Sequence, residues 1–103
     1  MIIDYISEFE VDADNILWII MENEGRAEFQ YVYRTAAGVY WHPMNNGFRF
    51  DPKGGLNYEK WFKYNLNMIK GELGLDMRSS KKLVWKNVPT DVQAELLHKL
   101  NGK

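Results

Sequence analysis

The chain has few of the side chains that most often carry catalysis or bind metal ions. It contains two histidines, His42 and His98, and no cysteine. No histidine or acidic residue stands at the helical or short-loop spacing of a zinc site from His42. The lack of cysteine excludes disulfides, thiolate metal sites and cysteine nucleophiles, and it fits a reducing compartment.

Three other stretches resemble functional motifs but are incomplete. Asp12 and Asp14 are spaced as at the start of a calcium-binding loop, but the glycine and the distal glutamate of such a loop are missing. Lys53-Gly54-Gly55 could receive an anion before a helix, although it matches no phosphate-binding loop and also fits a flexible connector. Ser79 or Ser80 could meet a histidine after folding, but no spacing favours such a nucleophile.

Glu8 and Glu10 are the remaining pair of residues that could take part in catalysis. Residues two apart on a strand point to the same face, so the two carboxylates would lie side by side. Paired carboxylates catalyse only inside a cleft that perturbs them, and no cleft is evident from the sequence. We therefore predict that the protein is not an enzyme and uses no cofactor and no metal ion. An enzyme with an unrecognised site is the third hypothesis.

Composition predicts one small soluble domain, residues 1–103. Hydrophobic residues make up 46% of the chain and charged residues 26%, close to a globular average, while aromatic residues reach 15%. No stretch approaches the ~20 apolar residues that span a bilayer. The N-terminus lacks the pattern of a signal peptide, so we expect a cytoplasmic location.

The net charge of −1 conceals an uneven distribution. Residues 1–30 carry eight acidic side chains and one basic side chain, whereas residues 31–103 carry six acidic and twelve basic ones. The acidic part could bind a basic partner, including by occupying a site meant for nucleic acid. Alternatively, folding joins the two parts through solvated ion pairs, or the acidic residues protect a strand edge from aggregation.

The first half of the chain predicts strands. Residues 4–11 alternate except at Ile6, which favours a strand and leaves a helical turn open. Residues 16–22 are apolar on both faces and predict a central strand covered on both sides. Clean alternation predicts a third strand over residues 27–34. Two further strands are predicted, Val39 to His42 and Phe48 to Phe50, joined at Asn46-Gly47.

The second half predicts two helices and a short strand. Leu56 and Asn57 are placed as the staple and the cap of a long helix that Gly74 ends. Its apolar stripe consists of Tyr58, Phe62, Leu66, Ile69 and Leu73. Leu83–Trp85 predicts the strand, and Thr90 to Gln93 forms the capping box of a last helix. The predicted fold class is α+β, an antiparallel β-meander of about four to five strands with two helices packed on one face.

Aromatic residues in the predicted sheet suggest one candidate binding face. Phe29, Tyr31 and Tyr33 share a face of their predicted strand, and bases stack on such rings while basic side chains hold phosphates. The predicted nucleic-acid site consists of Tyr40 with the basic residues Arg34, Arg49, Lys81, Lys82 and Lys86. The other interpretation places Phe29, Tyr31 and Phe48 in the core, because one sheet face must lie under the helices.

The hairpin GVYWHPMNNGFRF contains two neighbouring aromatic residues. Tyr40 and Trp41 point to opposite faces of a strand, so they cannot enter the same core layer. One of them is either exposed or lies under a second cover. We expect Trp41, Pro43 and Met44 to be the exposed parts of this hairpin.

The long helix offers a second candidate surface. Trp61, Tyr64 and Met68 form a stripe about 100° from the main apolar stripe. These residue types are enriched at protein interfaces. With Trp41 and Met44 they make up the predicted protein-binding site. The stripe also fits burial in a sandwiched helix, or a homodimer contact.

Exclusion of catalytic and metal sites leaves binding as the predicted function. The leading hypothesis is a small regulator that binds a protein, as an inhibitor or adaptor acting by surface complementarity. The alternative is a nucleic-acid-binding module that uses the aromatic sheet face. From chain length alone we also hypothesise a phage or mobile-element accessory protein.

Overall fold

A computed structural model of the chain describes residues 2–34, 38–51 and 58–100, without the side chains of residues 58–61. The fold is α+β, as predicted, and its strands form one five-stranded sheet. The strands are β1 (Ile2–Val11), β2 (Leu17–Met21), β3 (Val39–His42), β4 (Gly47–Phe50) and β5 (Leu75–Lys86). The helices are α1 (Tyr58–Leu73) and α2 (Thr90–Leu100), together with 3₁₀ helices over Ala27–Arg34 and Pro43–Asn45.

The sheet is mixed, with the strand order β3-β4-β2-β1-β5. β2 pairs antiparallel with both β1 and β4, and β3 pairs antiparallel with β4. β5 pairs parallel with β1, so the prediction of a purely antiparallel sheet was wrong. The reason is that α1 lies between β4 and β5, and a helical crossover brings the next strand back in parallel.

β5 is much longer than the predicted strand over Leu83–Trp85, since it has 12 residues. Its pairing with β1 passes from Ile6↔Ser79 to Glu8↔Val84, so β1 advances two residues while β5 advances five. The three extra residues bulge out of the ladder, and the lysine pair of this stretch is exposed. A β-bulge bends its strand and interrupts pairing. The side chains of β5 therefore do not alternate regularly, and the sequence pattern did not reveal the full length of the strand.

β1 confirms the strand interpretation of the N-terminal segment and explains the exception at Ile6. Its pairing with β2 passes from Ile6↔Met21 to Glu8↔Ile20, so Ser7 is an extra, bulged residue. The Ser7 hydroxyl donates to the carbonyl oxygen of Ile20 at 3.2 Å. A bulge switches the alternation of side chains between the two faces.

Residues 27–34 form a 3₁₀ helix and not a strand, so that prediction was wrong. The buried residues of this helix are Phe29 and Val32, and their spacing fits the three-residue turn of a 3₁₀ helix. Tyr31 and Tyr33 are 45% and 46% exposed. They therefore share no sheet face with Phe29, and Tyr31 is not the core residue that one interpretation made it. The described residues therefore contain this 3₁₀ helix in addition to the two helices that were predicted.

α1 and α2 pack on one face of the sheet, and aromatic rings form the centre of that contact. The ring of Phe62 in α1 lies 5.7 Å from the ring of Phe9 in β1 and 5.9 Å from that of Phe50 in β4. Trp85 of β5 stacks on the same Phe9 ring at 4.9 Å. Leu96 of α2 belongs to the same buried cluster. Interlocked rings of this kind dominate the apolar area that a small core buries.

The helix ends agree in part with the sequence prediction. Gly74 ends α1 with a φ of +65° and donates its N–H to the carbonyl oxygen of Lys70 at 3.1 Å. α2 begins at Thr90, and the side chain of Gln93 donates to the carbonyl oxygen of Val88 at 2.9 Å. The staple and cap predicted at residues 56–57, and the glycine pair before them, lie outside the described residues.

No described helix is long and apolar enough to cross a membrane.

The close contact between Gly25 and Trp41 generates the first prediction. A Cβ atom at Gly25 would overlap Cζ2 of Trp41. The indole cannot move away easily, because it packs against the rings of Phe29 and Phe48 at 5.0 and 4.8 Å. We expect Gly25→Ala to lower the free energy of unfolding by about 1–3 kcal/mol, the usual cost of overpacking. Urea denaturation measures this change.

Two controls accompany this measurement. Trp41→Phe removes the overlapping atoms, so Gly25→Ala should cost less than half as much in that background. Gly71 lies on α1, and a Cβ atom added there would meet no other atom within 4 Å, so Gly71→Ala should stabilise the fold by about 0.5–1 kcal/mol. An equal cost of Gly25→Ala in both backgrounds would show that the contact with Trp41 is not the cause.

Candidate partner-binding surface

The face of the sheet opposite α1 and α2 is left uncovered by those helices, and we call it the open face. Cross-strand pairing arranges its side chains in rows. One row runs through Tyr40, Arg49, Trp18, Glu10 and Lys86, and the next runs through His42, Gly47, Ile20, Glu8 and Val84. β2 is the central strand that was predicted, but Trp18 and Ile20 are half-buried. The strand is therefore fully covered on one face and not on both.

Trp18 stands in the middle of the open face and is fixed there by Asp12. Its indole N–H donates to Oδ2 of Asp12 at 2.8 Å. The other carboxylate oxygen accepts the backbone N–H groups of Asp14 and Ile16 at 2.9 and 3.0 Å. The ring of His42 meets the indole edge-on at a centroid distance of 4.9 Å. The indole is thus held before any ligand arrives.

The same contacts set the charge state of Asp12. The hydrogen bond from Trp18 lowers the pKa of Asp12 below its ordinary value of 3.8. Partial burial opposes this shift, while the backbone N–H groups of Ile16 and Asp14 and the charge of Arg49 reinforce it. Each of these groups donates to, or attracts, the ionised carboxylate. Asp12 therefore stays negative beside the indole throughout the neutral range.

A concavity of about 430 Å³ lies beside Trp18 on the open face. Its walls are Glu8, Glu10, Trp18, Ile20 and Asn45. The β1 bulge is what turns both glutamates towards this face, because regular alternation from Ile6 would place them with the core. The concavity therefore combines an aromatic ring with two carboxylates that are two residues apart.

A second group of exposed rings adjoins the open face at β3, and we call it the tyrosine patch. It consists of Tyr31, Tyr33, Arg34 and Tyr40. Tyr33 stacks on Tyr40 with a centroid distance of 6.3 Å and an interplanar angle of 16°. The guanidinium of Arg34 lies 4.7 Å from the Tyr31 ring centre and 5.8 Å from the Tyr33 ring centre. The patch joins the first row of the open face because Tyr40 belongs to both.

The structure places the predicted protein-binding residues on two parts of the fold, the segment from β3 to β4 and α1. Trp41 is not exposed as predicted, because it shares the inner face with its partner Phe48 and is half-buried against the core. Tyr40 is the exposed neighbour, at 39%. Met44 is 99% exposed in the turn between β3 and β4.

On α1, Tyr64 is 61% exposed and Met68 is half-buried. The backbone of Trp61 belongs to α1, but its side chain lies outside the described residues. The helix stripe therefore stays a prediction.

The predicted nucleic-acid residues fall into two separate groups. Arg34 reaches Tyr40 through Tyr33, and Arg49 is the cross-strand partner of Tyr40. Lys81, Lys82 and Lys86 lie on β5, at the opposite edge of the sheet. Four strand spacings separate the two edges, roughly 19 Å. Tyr40 and Arg34 belong to the tyrosine patch and Arg49 adjoins it, while the three lysines stand apart from it.

Sequence reasoning missed Trp18, the residue at the centre of the open face. It lies in an apolar run, residues 16–22, that predicts a strand covered on both sides. The alternation of Trp18 with Leu17 and Ile19 therefore did not indicate which side chains are exposed. The signal that would have found it is the series of Asp12 with Glu8 and Glu10, which marks one strand face as polar. A central strand beside such a face cannot be covered on both sides.

The remaining chemical candidates stay separate in the structure. His98 is exposed on α2, as its position opposite the apolar stripe predicted, and His42 contacts the Trp18 ring. Within the described part of the chain, no group of three or more His, Asp or Glu side chains could hold a metal ion.

No protein-family model and no curated protein matches the sequence. Among solved structures, the chain is similar to an integron cassette protein from the mobile metagenome of the North West Arm sewage outfall. The two are 22% identical over 96% of each chain, with a TM-score of 0.41. A TM-score this low does not establish a shared fold.

The anchoring of Trp18 predicts a pH-dependent contribution to stability. Because the pKa of Asp12 is lowered in the folded state, its ionised form stabilises the fold at any pH above the ordinary pKa of 3.8 that applies to the unfolded chain. That stabilisation is lost as the pH falls through the folded-state pKa. Asp12→Asn removes the charge but keeps an oxygen that can accept from the indole.

We therefore expect wild type to be more stable than Asp12→Asn at pH 7 and pH 5, with the difference shrinking below about pH 4. Urea denaturation at pH 7, 5 and 3 measures it. Asp14→Asn removes an equal charge from an exposed position in the same turn and should show a smaller, flatter difference. A difference for Asp12→Asn that is constant from pH 7 to pH 3 would contradict the assignment.

Proposed function

We propose that this protein is a regulator that binds another protein through the open face and the tyrosine patch. The observation that carries the proposal is the continuity of aromatic and arginine side chains from the patch through Tyr40 and Arg49 to Trp18. Tyrosine, tryptophan and arginine are the residues that most often dominate binding energy at protein interfaces. We favour this arrangement over the site predicted at Trp41 and Met44, while the α1 stripe stays a prediction.

Preorganisation supports the same proposal. The Trp18 indole is hydrogen-bonded to Asp12, and the rings of Tyr33 and Tyr40 are already stacked. Side chains that are fixed before binding lose less conformational entropy in the complex. Tyrosine and tryptophan also supply large contact areas with few rotatable bonds, as they do in antibody binding sites.

Single-stranded nucleic acid is the second candidate, favoured by one observation. The stacked pair of Tyr33 and Tyr40 with Arg34 and Arg49 nearby could stack a base and hold a phosphate. However, Glu8 and Glu10 lie on the same open face and would repel a phosphate backbone. Because the three β5 lysines stand at the far edge, we place this function second.

The test is capture of partners from a lysate by the immobilised protein, comparing two tyrosine variants. Tyr33→Ala removes a ring from the tyrosine patch, and Tyr64→Ala removes an exposed ring from α1 as the matched control. We expect Tyr33→Ala to weaken binding of the captured protein by about 2 kcal/mol, which is roughly 30-fold. Tyr64→Ala should leave it unchanged, and both variants should keep the wild-type melting temperature.

Three results would speak against the proposal. Loss of capture in Tyr64→Ala alone would move the interface to the helix stripe. Material that disappears on nuclease treatment, with an affinity that falls linearly in log K against log salt, would favour nucleic acid. A protein captured equally by wild type and both variants would exclude the tyrosine patch.

A further inference from the structure

We infer that the concavity beside Trp18 accepts one arginine side chain of the bound protein. This inference rests on the proposed function, since it names the chemistry that the partner presents at the open face. The guanidinium would lie over the indole of Trp18, with its N–H groups donating to the carboxylates of Glu8 and Glu10. Three features support it: the charge of the site, the geometry of its groups and the weakness of its present cation contacts.

The charge of the concavity selects a cation. Two of its five lining residues are glutamates, and the negative Asp12 sits at the polar edge of the indole. The face of an indole ring also attracts positive charge, because its electron density is concentrated above and below the ring plane. Ring and carboxylates therefore favour the same kind of ligand, a positively charged side chain.

The geometry of the concavity favours arginine over lysine. A guanidinium is planar, so it can stack on an aromatic ring and still point its N–H groups outwards to acceptors. Glu8 and Glu10 have Cα atoms about 6.5–7 Å apart along one strand face, and the several donors on one planar group can serve two carboxylates at once. Asn45 adds an amide oxygen at the rim.

The basic side chains already near the concavity form only weak ion pairs with its carboxylates. Lys86 Nζ lies 3.9 Å from Oε2 of Glu10, and the lysine side chain is exposed. Exposed pairs of this length contribute little and are readily replaced. Arg49 neighbours Trp18 in the first row, but its guanidinium is directed to Oδ2 of Asp51 at 3.4 Å. An arginine from the partner would therefore meet carboxylates that form no strong ion pair with any other described residue.

The experiment uses the full chain and two peptides that differ only in charge. The probes are acetyl-Gly-Arg-Gly-amide and the same peptide with citrulline, which keeps the shape of arginine without its charge. Amide and indole N–H signals are followed by NMR while each peptide is added, and Trp18→Phe assigns the Trp18 indole signal. We expect saturable shifts of that signal and of the Glu8 and Glu10 amides with arginine only.

Matched variants then locate the site. Glu8→Gln and Glu10→Gln should each weaken binding of the arginine peptide about tenfold, the effect of losing one charge-assisted hydrogen bond. Glu28→Gln removes the same charge from the Ala27–Arg34 helix, where Glu28 is exposed. It should leave the affinity unchanged, because an exposed charge outside the concavity contributes only through long-range attraction.

Several results would overturn the inference. They are equal affinity for the citrulline peptide, no shift with either peptide, or an equal loss of affinity in Glu28→Gln and Glu8→Gln. The comparison of the two peptides uses wild type alone, so it stands even if a glutamate variant folds poorly. If the peptides fail while Tyr33→Ala still weakens partner capture, the arginine site is wrong and the proposed function stands. If the arginine peptide binds as expected while no protein is captured through the tyrosine patch, the arginine site is correct and the proposed function is wrong.

Discussion

Ile6 and Phe9 are three residues apart in β1, yet both are fully buried, which regular alternation along a strand does not allow. The extra residue at Ser7 resolves this conflict by switching the faces between them. The switch places Phe9 under Phe62 and Trp85 at the centre of the core. It also sends Glu8 and Glu10 to the open face, in register with Ile20 and Trp18. Core and candidate site therefore depend on the same bulge.

The parts of the fold that could be predicted are those in which local pattern and tertiary environment agree. The apolar stripe of α1 from Phe62 onwards, the stop at Gly74 and the hairpin at Asn46 are of this kind, because adjacent residues determine the periodicity and the backbone conformation. Residues 27–34 alternate like a strand, but burial of Phe29 with Val32 beside β3 outweighs that pattern. The bulge in β5 and its parallel pairing depend on contacts with β1, so no local window contains them.

The candidate site was harder to predict because it is an arrangement and not a motif. Tyr40 and Arg34 were identified singly, but the stacking of Tyr33 on Tyr40 required the 3₁₀ helix to be known. The acidic excess of the first thirty residues is only partly neutralised on folding. Of the ion pairs between described residues, Lys86 with Glu10 is the one that joins the acidic and the basic parts. The carboxylates of Glu8 and Glu10 on the open face are the reason why we propose a positively charged side chain as its ligand.

The parallel pairing of β1 with β5 also has a consequence for biosynthesis. Ile2 pairs with Leu75, so the two edges of β1 are paired at very different times as the chain emerges from the ribosome. β2 follows within a few residues and can form a hairpin with β1 at once. At about 5–20 residues per second, β5 follows roughly 3 to 13 s later. During that interval the nascent hairpin exposes a free edge and the side chains of Ile6 and Phe9, the kind of surface that chaperones bind.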